Sequence, residues 1–124
     1  MRPLKIAIST LFLSLMTFGV AAKAEVWTQE TTQQFEQMII KQIGAAATVM
    51  VTFEKGIIKE TTTMYLKEGD QFSYYDYKQL KEKFSSNCKK LMPILNNYKN
   101  VVGYQYHAIV IANGNSHHTK HLCQ

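Results

Sequence analysis

Between Thr28 and Gly44 the apolar residues Phe35, Met38, Ile39 and Ile43 recur every three or four positions. Gln29, Glu30, Gln33 and Glu36 fill the other side. That period is one face of an α-helix. Thr28 can cap its start and Gly44 can stop it, so a helix is predicted over 28–43.

The pattern then changes to alternation. "ATVMVTFEKGIIKETTTMYLKEG" is rich in β-branched residues, with Lys55-Gly56 placed to turn it back on itself. With those two as the turn, Phe53 faces Ile58, Val51 faces Glu60 and Val49 faces Thr62. Successive side chains of a strand point to opposite faces. Val49, Val51, Phe53, Ile58, Met64 and Leu66 then share a core face. Met50, Thr52, Lys59, Thr61, Thr63 and Lys67 share a mostly solvated one. The agreement of both halves predicts a β-hairpin.

Helical spacing returns in "SYYDYKQLKEKFSSNCKKLMPILNN". Ser73 and Asp76 form a capping-box pair. Tyr77, Leu80, Phe84, Cys88, Leu91 and Leu95 make an apolar stripe, predicting a helix over 74–92 that Pro93 ends or kinks. Tyr74 and Tyr75 cannot both lie on that stripe. At least one is expected in solvent, as part of a contact surface.

The last segment, "VVGYQYHAIVIANGNSHHTKHLCQ", alternates again around Asn113-Gly114, a strong two-residue turn signal. The turn pairs Ile111 with Ser116, Ile109 with His118, His107 with Lys120 and Tyr104 with Cys123. One face carries Tyr104, Tyr106, Ala108, Val110, His117, Thr119, His121 and Cys123. The other carries Gln105, His107, Ile109, Ile111, Ser116, His118, Lys120 and Leu122. Were Asn115 a third turn residue, this matching would change. The order α-β-β-α-β-β predicts a two-layer α+β domain: a four-stranded antiparallel sheet packed by two helices. Strand order is left open.

The first 24 residues stand apart. Arg2 and Lys5 precede an apolar run from Ile6 to about Ala22, and Ala22-Lys23-Ala24 offers small residues before a cut at Glu25. That is the form of a cleaved secretory signal peptide, and an uncleaved anchor is the competing reading. Residues 25–124 are expected to form one small domain, periplasmic or secreted, with no stable membrane span after cleavage.

Cleavage also changes the charge. Of 14 basic residues, Arg2, Lys5 and Lys23 leave, so eleven lysines face nine acids and the net charge falls from +5 to +2. The lysines alternate with acids in "FEKGIIKE", "LKEGD" and "LKEKF". That reads as a solvated surface. Without arginine, the usual fork for phosphates and guanine edges, nucleic acid is not the expected partner.

Cys88 and Cys123 are the only cysteines. In an exported domain of this size they predict one structural disulfide, not a redox motif or a free nucleophile.

The chemistry-bearing residues are few. His117, His118, His121 and Cys123 cluster in the sequence. On a strand His117 and His118 point to opposite faces, and His117 and His121 lie about 13 Å apart. Zinc ligands must converge within ~2.3 Å of one ion, so no metal site and no cofactor are expected. Hydrolase, P-loop and zincin motifs are absent. Glu60 falls on the core face, where a dry carboxylate would have a raised pKa. Acids are seldom fully buried, so the pattern favours Glu60 near an open edge or beside a lysine.

If both helices cover the Tyr104 face, then Ile109, Ile111 and Leu122 are exposed beside His107 and His118 as a docking patch. If the first helix covers that face, the patch is core. The expected function is a small binding protein of the bacterial envelope working through protein–protein contact, as an inhibitor, immunity protein, or secretion or adhesion accessory. Its partner would be another envelope or secreted protein, and a homodimer is open. The expected binding residues are His107, Ile109, Ile111, His118, Tyr74 and Tyr75. The alternatives are a small enzyme using Glu60 or a histidine, and a metal-binding protein using the histidine tail.

Overall fold

A computed structural model describes residues 26–124. The expected signal peptide, 1–24, lies outside the described residues.

Helix α1 spans Gln29–Ile43. Thr28 Oγ1 accepts the Thr31 N–H at 3.0 Å, and Gly44 ends the helix at φ 62°. One 3-10 turn, Gly44–Ala46, leads into β1, Thr48–Glu54. Strand β2, Ile57–Tyr65, returns antiparallel in the expected register, with Val51 opposite Glu60. Both turn residues have positive φ, Lys55 at 53° and Gly56 at 82°. That geometry lets a two-residue loop follow the twist of the strands.

Helix α2 spans Tyr74–Leu95, past the expected end at 92. Ser73 and Asp76 form the reciprocal capping box. Pro93 is exposed, while Leu91, Leu95 and the following Tyr98 are buried. Burial of Leu95 and Tyr98 holds the last turn in place, and the bond from Asn96 N–H to Met92 O, 2.9 Å, closes it beyond the proline. The buried stripe also differs at its start. Asp76 is buried through its capping bonds and Tyr77 is turned outward. Asn87 occupies the core-facing position beside Cys88.

Strands β3, Gly103–Ala112, and β4, Asn115–Cys123, form the second hairpin. Asn115 belongs to the strand and pairs with Ala112, so the two-residue turn and its register stand.

The sheet order is β1-β2-β3-β4. Its centre corrects the all-antiparallel expectation: β2 and β3 run parallel, from Ile57 beside Gly103 to Tyr65 beside Ile111. The cause is the length of α2. Its 22 residues extend about 33 Å at 1.5 Å per residue, enough to carry the chain back along the whole sheet. Strand β3 therefore starts at the same end as β2, a helical crossover between parallel neighbours.

Both helices lie on one face. Phe35 of α1 meets Tyr104 edge-on at 6.3 Å, and Phe84 of α2 stacks on Tyr106 at 4.4 Å. Trp27 closes one end of this core against Tyr98 and Phe35. Its indole N–H donates to Thr32 Oγ1, and its backbone N–H and C=O bond the Asn100 side chain, each at 2.8 Å. A fully buried aromatic of this kind contributes about 2–3 kcal/mol. The disulfide Cys88–Cys123, with Cα atoms 5.3 Å apart, ties α2 to the end of β4.

Candidate functional site

The other face of the sheet is uncovered by either helix. Alternation places Met50, Ile57, Tyr65, Ile109, Ile111 and Leu122 there, with Lys59 and Lys120 among them. Leu122 is 45% exposed; Ile109 and Ile111 are half-buried by their neighbours. Gly103 sits at the foot of this face. A Cβ there would lie 3.1 Å from Cys123 O, tighter than ordinary contact, so a side chain would crowd the backbone at the end of β4.

His107 and His118 meet diagonally across β3 and β4. Nε2 of His107 and Nδ1 of His118 are 2.9 Å apart, a hydrogen bond when one neutral ring donates to the other. Partial burial, the Lys120 ammonium and His118 together hold His107 below the ordinary histidine value. Ile109 lies opposite His118, and Thr61 and Lys120 flank His107.

The two edges of the sheet differ. In each hairpin the residues flanking a two-residue turn exchange both backbone bonds, and pairs then alternate along the ladder. On β1 the outward groups include Val51 and Phe53. Glu36 Oε2 accepts the Val51 N–H at 2.8 Å, and Gln29 Nε2 donates to Phe53 O at 3.1 Å. Helix α1 thus bonds two groups of that edge with its own side chains.

On β4 the outward residues are Ser116, His118, Lys120 and Leu122. The Lys81 ammonium reaches Lys120 O at 3.0 Å. Among the described residues, the outward groups of Ser116, His118 and Leu122 bond no other backbone.

Glu60 corrects an expectation. It is 2% exposed, neither at an edge nor beside a lysine. Its carboxyl accepts the Tyr104 hydroxyl and, at 3.4 Å, the Thr62 hydroxyl. Burial pushes it up to about 7, and these two bonds offset part of that rise. Burial and the nearby Glu60 charge raise the Tyr104 and Tyr106 hydroxyls well above the ordinary tyrosine value. Asn87 faces the Tyr106 hydroxyl, yet its amide nitrogen and Thr119 Oγ1 meet no partner among the described residues. These polar groups are buried beneath the helical layer.

The expected binding residues separate into two places. His107, Ile109, Ile111 and His118 share the open face. Tyr74 and Tyr75, 78% and 65% exposed, stand on the helical layer. His117 packs on Phe72 at 5.2 Å, which brings the first turn of α2 to the Asn115 end of β4. His121 lies on the helical side near Lys81. Among the described residues no three of His, Cys, Asp and Glu gather where they could hold a metal ion. Sequence reading missed Lys81, Glu36 and Gln29 as edge residues. Their helical positions were legible, but not which strand each would lie beside.

No protein family, no curated protein and no solved structure matches the chain.

Proposed function

We propose that the chain is a small exported binding protein of the bacterial envelope, without catalysis of its own, that holds another envelope or secreted protein on the open side of its sheet. The observation that carries this reading is the one-sided packing. Both helices cover the Tyr104 face, and the opposite face keeps Ile109, Ile111 and Leu122 in reach of a partner around the His107–His118 pair. Apolar side chains grouped inside a polar rim are the usual anatomy of a contact surface. The enzyme alternative has less support, because its best acid, Glu60, is enclosed.

The test is affinity capture from the native envelope, comparing the parent chain with the Ile109→Ser/Ile111→Ser variant. A partner captured by the first and lost by the folded second supports the reading. Equal capture by both removes this face from the function.

A further inference from the structure

The geometry points to β4 as an open edge to which the partner adds an extended, acidic segment as a fifth strand. This rests on the protein-binding reading above and specifies how the partner is held.

The first ground is the contrast between the two edges. Glu36 and Gln29 take two of the outward groups of β1, Val51 N–H and Phe53 O, so a strand adding there would displace two side chains of α1. Strand β4 presents the outward N–H and C=O groups of Ser116, His118 and Leu122, with one carbonyl, Lys120 O, taken by a lysine side chain. A lysine ammonium at a half-exposed position exchanges readily for water or for another donor. An exposed row of this kind is a template for strand addition, in which backbone bonds supply affinity and alternate side chains supply specificity.

The second ground is charge. Side chains of an added strand would alternate between the two faces of the sheet. On the open face they would lie beside His118 and Lys120, and on the helical face beside His121 and Lys81. From Asn113 to Gln124 the chain has no acidic side chain. Glutamates or aspartates of the incoming strand therefore meet the Lys120 ammonium on the open face and the Lys81 ammonium on the helical face, whereas lysines meet repulsion. A second copy of β4 would bring its own Lys120 and Lys81 to the same edge, so the charge that invites an acidic strand discourages self-pairing. The added strand would also extend the open face, placing its apolar residues next to Leu122 of β4.

The test uses the oxidised chain labelled with ¹⁵N and two blocked seven-residue peptides. One alternates glutamate with valine and threonine; the other has lysine in place of glutamate. The acidic peptide should shift the amides of Ser116, His118, Lys120 and Leu122, with the lysine peptide at least ~10-fold weaker, the equivalent of one charge-assisted bond. His118→Pro removes one outward donor at a position where an edge strand tolerates proline, and should weaken the acidic peptide by a similar factor. If that variant fails to fold, Lys81→Glu/Lys120→Glu serves, and it should reverse the preference between the peptides.

Equal response to both peptides, shifts confined to other strands, or no shift at all overturns the proposal. So does a dilution-dependent change of the same amides without peptide, which would mean that a second copy occupies the edge. A captured partner that is lost with Ile109→Ser/Ile111→Ser but kept by folded His118→Pro would preserve the face reading and reject strand addition.

Discussion

The carboxyl of Glu60 meets the hydroxyl of Tyr104 in a hydrogen bond enclosed between the sheet and the helices. Its folded value, about 7, lies above the ordinary 4.5. The sign follows from linkage: the unfolded chain releases this proton first, so stability falls as pH rises. The contribution is fully present below pH 4.5, is lost progressively up to about 7, and is flat beyond. The loss is on the order of 3 kcal/mol. Glu60→Gln should lack this decline and exceed the parent in stability above pH 7. Urea unfolding of both chains from about pH 4 to about pH 8 reads the difference. A constant offset between the two curves would contradict an ionising Glu60.

Lys55 holds a positive φ of 53° in the first hairpin turn, and Asn113 holds 52° in the second. Asparagine accepts that conformation more easily than lysine does. Lys55→Asn should therefore stabilise the domain by up to ~1 kcal/mol, seen as a higher denaturation midpoint with an unchanged slope.

The Cys88–Cys123 bridge closes a loop of 35 residues. On the chain-entropy argument its reduction should cost about 3–4 kcal/mol. Cys88→Ser/Cys123→Ser should unfold at a correspondingly lower urea concentration. Thiol counting by intact mass checks the bridge itself: two alkylated cysteines in the native, unreduced protein would contradict it.

Partial burial, Lys120 and His118 all depress His107. Lys120→Gln should raise its titration midpoint toward the ordinary value, observed by NMR of the imidazole protons, with the sheet otherwise unchanged. An unaltered midpoint would exclude the Lys120 charge as a cause of the shift, leaving burial and His118.

Much of the architecture was legible in local signals. Thr28, Gly44, Ser73 and Asp76 marked helix ends by their own hydrogen-bonding chemistry. Lys55-Gly56 and Asn113-Gly114 fixed both hairpin registers, and with them the faces of Glu60, His107 and Cys123. The parallel β2–β3 junction was not legible, because the two hairpins join through α2 and no turn chemistry sets their relation. Proline spacing suggested an end at residue 92, whereas burial of Leu95 and Tyr98, a tertiary effect, carried the helix onward. For Glu60 the register was right and the general rarity of buried acids misled; Tyr104 and Thr62 supply the partners that make its burial tolerable. Of the candidate site, the grouping of His107, Ile109, Ile111 and His118 followed from the turn. The contrast between the edges depended on where α1 and α2 came to rest.

The disulfide has a mechanical meaning as well as a thermodynamic one. Strand β4 is terminal in the sheet and joins it along one side only, so an edge strand of its kind is the first to peel under load. Cys123 lies at its far end and is bonded to the middle of α2. A pull applied along β4 is thus shared at both ends, by the Asn113-Gly114 turn and by a covalent link into the helical layer. Unzipping from the Cys123 end is opposed by that link, which passes tension to the core through Cys88.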